Sequence, residues 1–189
     1  MIEIRLEQPQ DISVIHALTL AAFTRADADG QMEADLNNRL RDNGKLLLSL
    51  VAELDGQVVG HVAFSPARIA FDGKTSAVSE TAEVYVVALG PIAVQPDHQR
   101  QGIGSQLILK GFEMLASQSH QLIFLLGHPG YYPRFGFRPA KALSVHWSGD
   151  QSDGPCQPFM VKELRKDALA QRLDGHTGVF YFAPEFDGG

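Results

Sequence analysis

The sequence predicts an α/β protein of the α+β kind, strands packed with helices in one domain, and three observations predict it. Ile2 to Leu6 alternates apolar and charged residues, as a half-buried strand does. Two apolar runs, Leu46 to Leu54 and Gln57 to Phe71, are joined by Asp55-Gly56, a two-residue hairpin signal because both positions tolerate positive φ. A third long run, Glu83 to Val94, leads through a loop with two glycines into a one-sided apolar pattern over Gly102 to Ser117, where a helix packs on a sheet.

The elements follow in order. After the first strand, Pro9-Gln10-Asp11 opens a segment with Ile12, Ile15, Leu18 and Ala22 at helical spacing. A polar stretch from Arg25 to Gln31 precedes a second helix, in which Met32, Leu36 and Leu40 recur every four residues and Asn43-Gly44 supplies the left-handed stop. The hairpin comes next. In Glu83 to Val94 the pair Gly90-Pro91 predicts a bulge or an edge, since proline cannot donate to a ladder. Leu122 to Leu126 reads as a short buried strand. Beyond Pro139 the pattern predicts strands at Ala142 to Trp147 and Phe159 to Val161, a short helix at Lys166 to Leu173 and a last strand at Gly178 to Phe182. Ser148 to Pro158, rich in Gly, Ser, Asp and Pro, reads as a loop of the same domain.

Composition narrows the function classes. The 189 residues, 44% hydrophobic and 20% charged, carry enough apolar surface for a core without disulfides or structural metal. A formal net charge of -6 argues against a nucleic-acid partner, which requires clustered Lys and Arg to displace counterions. The single Cys156 closes no disulfide within the chain and lacks a visible base partner, and the seven His show no metal-ligand spacing. No basic leader and no apolar run of membrane-spanning length is seen, so a cytoplasmic protein without membrane contact is expected.

Two nucleotide motifs fail on their glycines. Gly73-Lys74-Thr75 has Arg68 where a P-loop requires its first glycine, and is read as a plain turn. A dinucleotide fingerprint starting at Gly102 and Gly104 would need a third glycine where Leu107 stands. Still, Gln99-Arg100-Gln101-Gly102-Ile103-Gly104-Ser105 joins a strand to a helix, and the first helical turn offers N–H groups with no partner of their own. Taken alone, that loop supports a tight turn or an anion site.

Its neighbours add more. Gln99, Gly102 and Gly104 match the coenzyme A loop of the GNAT N-acetyltransferase family, whose pattern is Gln or Arg, two residues, Gly, one residue, Gly or Ala. Further along, Gly127-His128-Pro129-Gly130-Tyr131-Tyr132-Pro133-Arg134-Phe135-Gly136-Phe137 resembles that family's Tyr-x-x-x-Gly-Phe element, and the wording is similar to a bacterial subgroup. The resemblance covers residues 1-140 well and 141-189 poorly; the latter are expected to complete the sheet. It implies the GNAT fold: a central mixed, mostly antiparallel twisted sheet flanked by helices and splayed between its fourth and fifth strands.

That resemblance implies an acetyl-CoA-dependent N-acetyltransferase acting directly on a primary amine of a small molecule or peptide, as a monomer or homodimer, with no metal. The backbone of Ile92, Ala93 and Val94 would pair with the pantetheine arm, and the amides from Arg100 to Ser105 would receive the pyrophosphate. Tyr132 would be the acid that protonates the departing thiolate, a phenol with an ordinary pKa near ~10; by composition alone Tyr131 and Tyr132 are packing aromatics. For the base, Glu83 at the start of its strand could hold a water, or be a solvated strand end. His128 could accept a proton, or be a surface hydrogen-bonding group, and Glu80 is a third candidate. A rival reading is a non-catalytic acyl-CoA-binding or sensing module, which would keep the loop and dispense with the acid.

Overall fold

A computed structural model describes residues 1–25, 28–71, 83–150 and 158–187, and of residues 83 and 84 the backbone alone. Lys74, Thr75, Glu80 and Cys156 lie outside these residues. The elements run β1 (Ile2–Leu6), α1 (Ile12–Phe23), α2 (Gln31–Asp42), β2 (Leu48–Leu54), β3 (Gln57–Phe71), β4 (Glu83–Val94), α3 (Ile103–Ser117), β5 (Leu122–Leu126), β6 (Arg138–Pro139), β7 (Val145–Trp147), β8 (Phe159–Glu163), α4 (Ala168–Leu173) and β9 (Gly178–Tyr181). Short 3₁₀ turns occupy Tyr132–Phe135 and Ala140–Leu143. The second of these corrects the strand expected from Ala142: Ser144 is left-handed at φ 63°, which ends the turn, and only Val145 onward is extended.

The chain folds as two compact units. The first, Met1–Ser65 with Leu89–Ser117 and Pro184–Gly189, contains the antiparallel ladders β1–β2 and β2–β3, helices α1 and α2, and α3 packed on β1 and β2. Ile103 and Leu107, both fully buried, sit over Gly60 of β3, where a Cβ would lie 3.0 and 3.1 Å from their side chains. That contact fixes the start of α3 against the sheet. At the end of β4 the Gln95 N–H donates to the Val59 carbonyl at 2.9 Å, so the loop before α3 is tied at both ends.

The second unit, Pro66–Ala88 with Gln118–Ala183, contains the parallel pair β4–β5, the antiparallel pairs β5–β8 and β6–β8, and β9 set antiparallel to β3 and parallel to β7. The sheet is therefore mixed and mostly antiparallel. Its core is a stack of Phe124, Phe159 and Phe180, with centroids 4.8 to 5.7 Å apart and at most 1% of each exposed. Each such ring contributes on the order of 1.5–3 kcal/mol by leaving water. The β4–β5 ladder pairs Val87 with Ile123 and Ala88 with Phe124 and holds no later pair. It stops before Gly90-Pro91, whose peptide bond is cis, while β4 itself continues to Val94.

A buried polar network lies in the first unit. Arg41 Nε donates to Glu7 Oε1 at 2.6 Å, the Ser49 hydroxyl bonds Glu7 Oε2, and His61 Nε2 is 2.8 Å from Ser49 Oγ. His61 is wholly buried, and burial pushes its pKa below the usual imidazole value against the opposing pull of Glu7. Burial alone would raise Glu7, but hydrogen bonds from His61, Arg41 and Ser49 outweigh it and bring Glu7 down to about 2. Both folded-state values are depressed, so the unfolded chain takes up these protons first as the pH falls. Stability is complete above about 6.5 and is lost below it at up to about 1.4 kcal/mol per pH unit through His61, then further below about 4.5 through Glu7. The melting temperature is expected to fall between pH 7 and 5, and His61→Gln to flatten that part of the curve. An unchanged slope in the variant would show that His61 does not control it.

Candidate active site

The loop after β4 is built to leave its amides free. His98 N–H and Gln99 N–H donate back to Gln95 and Pro96, closing a turn over Pro96–His98. Arg100 then adopts φ 61° and Gly102 φ 84°, two left-handed residues flanking Gln101. A residue with a Cβ is uncommon there. The first helical amide with a partner is that of Gln106, which donates to the Gly102 carbonyl at 3.1 Å. Among the described residues no backbone carbonyl accepts from Arg100, Gln101 or Gly102, and the amides of Ile103, Gly104 and Ser105 are the orphan donors of the first helical turn. Six consecutive N–H groups are thus available at an exposed loop carrying the positive end of α3.

Side chains support the loop rather than line it. Gln99 Nε2 donates to the Val94 carbonyl at 3.0 Å, and Gln101 Nε2 to the Asp97 carbonyl at 3.3 Å. Gln99 therefore ties the loop to the end of β4. In β4, Ala93 is buried while Ile92 and Val94 are half-buried. The left-handed Arg100 had no signal in the sequence, since nothing about an arginine announces positive φ.

In the second unit the turn after β5 presents the tyrosines. Gly130 N–H donates to His128 Nδ1 at 3.0 Å, and Tyr131 N–H to the His128 carbonyl at 2.9 Å. His128 therefore caps the turn with ring and backbone together. Because Nδ1 accepts a hydrogen bond, the neutral ring carries its proton on Nε2 and has no second lone pair for an amine proton. Tyr132 follows at the head of the 3₁₀ turn, 8% exposed, edge-on to Tyr131 and Phe137 at 5.1 and 5.7 Å. Its ring passes so close to Gly127 that a Cβ there would lie 2.1 Å from it. Burial, with a smaller contribution from Tyr131, pushes the Tyr132 phenol up to about 12, above the ordinary value expected from sequence. Tyr131 is instead held under the Arg134 guanidinium, 4.7 Å above its ring, and edge-on to Phe135.

Glu83 is the first residue of β4, and its side chain lies outside the described residues. The loop residues Gln99 to Ser105 are brought together in one unit, and His128 and Tyr132 in the other. Among the described residues no group of three or more His, Cys, Asp or Glu could hold a metal, and no helix is long and apolar enough to cross a membrane.

Residues 3–140 match a family model described as an acetyltransferase (GNAT) domain. The chain belongs to the GNAT acetyltransferase family. It is 34% identical to the uncharacterized N-acetyltransferase YhbS of Escherichia coli (strain K12) over 187 residues, 97% of this chain and 98% of that protein. Among solved structures, the GNAT N-acetyltransferase YhbS from Escherichia coli in complex with CoA superposes with a TM-score of 0.78 at 33% identity, covering 98% of this chain and 92% of that one. A GNAT acetyltransferase from Brucella melitensis in complex with acetyl-CoA gives a TM-score of 0.74 at 34% identity, with 99% of both chains covered. The GNAT fold expected from the two motifs is the fold observed. The likeness to these relatives also extends past Ala140, where the sequence motifs end.

Proposed function

We propose that this GNAT enzyme transfers an acetyl group from acetyl-CoA directly to a primary amine of a small molecule or peptide. The observation that carries the proposal is the run of six free amides from Arg100 to Ser105. Such an array suits a pyrophosphate, whose oxygens take charge-assisted bonds from backbone N–H groups, and both similar proteins above have structures with CoA or acetyl-CoA bound. The backbone of Ile92, Ala93 and Val94 is assigned to the pantetheine arm. This fits a β4 whose ladder with β5 has ended by Ala88.

When bound, the thioester supplies an activated acetyl carbonyl. The chain's own task is to orient it, exclude water and manage two protons. With its pKa pushed up to about 12, Tyr132 keeps its phenolic proton through the neutral range, where the departing thiolate can take it. Glu83, at the head of β4, is assigned the amine proton, taken through a water. His128 is assigned to positioning, because its Nδ1 is engaged by the Gly130 N–H.

Thermal stability followed with added acetyl-CoA tests the binding half, since a ligand favouring the native state raises the melting temperature by mass action. Thiol release across a panel of amines, amino acids, polyamines and peptides tests the rest. Binding without release from any amine would replace the enzyme by an acyl-CoA sensor. The positioning role makes its own prediction. His128→Ala is expected to lower kcat roughly tenfold with the KM for acetyl-CoA unchanged, a loss of about one hydrogen bond's worth of order in the turn. His128→Asn, whose side-chain oxygen can accept the same i+2 N–H, is expected to restore most of it. Equal loss in both variants would point to an imidazole acting chemically.

A further inference from the structure

The second unit contains a cavity of about 390 Å³ that the acetyl-transfer reading does not use. Its volume falls in the range of small-ligand pockets, about 300–1,000 Å³. Leu143, Leu169 and Leu173 give it apolar lining, and Arg138, Glu163, Asp167 and His176 are the ionisable residues that line it. The walls are held in place from three elements. Glu163 of β8 accepts from the Arg138 guanidinium of β6 through Oε2 and from the Leu169 N–H of α4 through Oε1 at 3.0 Å.

Left-handed residues lie along the elements that line the cavity. Among the described residues, three of the six non-glycine residues with positive φ line the cavity or adjoin its lining: Ser144 at 63°, Asp167 at 61° and Asp174 at 46°, the last followed by Gly175 at 79°. Each is pinned by a hydrogen bond in its own turn, Ser144 N–H to Lys141, Asp174 N–H to Ala170, and Gln171 N–H to the Asp167 carbonyl. Asp167 and Asp174 cap the two ends of α4 and Ser144 ends the 3₁₀ turn before β7, so these residues fix the elements that line the cavity.

Charge selects the kind of ligand. Arg138 and Glu163 neutralise one another, whereas the Asp167 carboxylate is exposed and has no hydrogen-bond or ion-pair partner among the described residues. Arg165 and Lys166 precede it but do not line the cavity. Buried leucines beside one exposed, uncompensated carboxylate suit a cationic head on a short aliphatic chain. We propose that this cavity binds a small amphiphilic organic cation, with the chain over Leu169 and Leu173 and the charge at Asp167.

n-Butyltrimethylammonium is a suitable probe, because it has no N–H to acetylate and its binding is independent of turnover. Titrated into the full chain, it is expected to shift the ring resonances of His176 saturably, while butyrate leaves them in place. Asp167→Asn, which keeps the left-handed preference of the position, is expected to weaken binding roughly fivefold. Ala170→Trp, at an exposed lining position, is expected to abolish it. Acetyl-CoA binding in both variants, measured in parallel, confirms that they are folded and reports separately on the coenzyme reading. No His176 shift with the cation, an equal shift with butyrate, or undiminished affinity in Ala170→Trp would overturn the proposal.

Discussion

Tyr132→Phe is expected to lower kcat by about 10²- to 10⁴-fold, the range for loss of a positioned general acid, while the affinity for acetyl-CoA stays within about twofold of the parent. The ring is 8% exposed and packed edge-on between Tyr131 and Phe137, so phenylalanine fills the same space. The hydroxyl makes no hydrogen bond among the described residues, hence its removal strands no partner and the fold should not suffer. The pH profile supplies an independent check. An acid with its pKa near 12 remains protonated across the working range, so any alkaline fall in kcat below about pH 10 must come from another group and should survive in Tyr132→Phe. Turnover close to that of the parent would leave the thiolate to take its proton from water and reduce Tyr132 to packing.

Most of the fold that positions these groups is legible in the sequence, because it rests on periodicity. The boundaries of β1, β3, β4 and β5 coincide with their apolar patterns, and Asp55-Gly56 turns β2 into β3 with both residues left-handed. The pattern fails at Ala142, where a 3₁₀ turn replaces the first half of an expected strand: two apolar residues before Ser144 carry no period of their own, and the left-handed Ser144 decides the matter. The candidate site divides in the same way. Gly102, Gly104 and Tyr132 are visible as residue types at fixed spacing. The left-handed Arg100, the bond from Gly130 to His128 Nδ1 and the raised phenol of Tyr132 are not, because each depends on which atoms the fold places within reach. His128 shows the difference most clearly. As a residue type it is a candidate base, and only the geometry around its ring shows which nitrogen holds the proton.

Gly102→Val is expected to weaken acetyl-CoA binding by roughly 10²-fold, the equivalent of one or two charge-assisted hydrogen bonds. At φ 84° a β-branched residue pays about 1–2 kcal/mol or more to keep the backbone where it is. If the loop relaxes to escape that strain, the amides of Gln101 to Gly104 are reoriented and the proposed anion site is lost. Should the loop instead hold its shape, the cost appears as lower stability, and the isopropyl group still projects into the space beside the amides, where a Cβ meets no other atom within 4 Å. Affinity falls by either route, and the melting temperature shows which was taken. Arg100→Asn serves as the contrast, since asparagine tolerates positive φ; it removes a charge from the exposed rim of the loop and keeps the backbone, so a loss of only about fivefold is expected. If Gly102→Val bound acetyl-CoA as tightly as the parent, the pyrophosphate could not lie on these amides. If Arg100→Asn lost as much as Gly102→Val, side-chain charge rather than the backbone array would be the main source of binding.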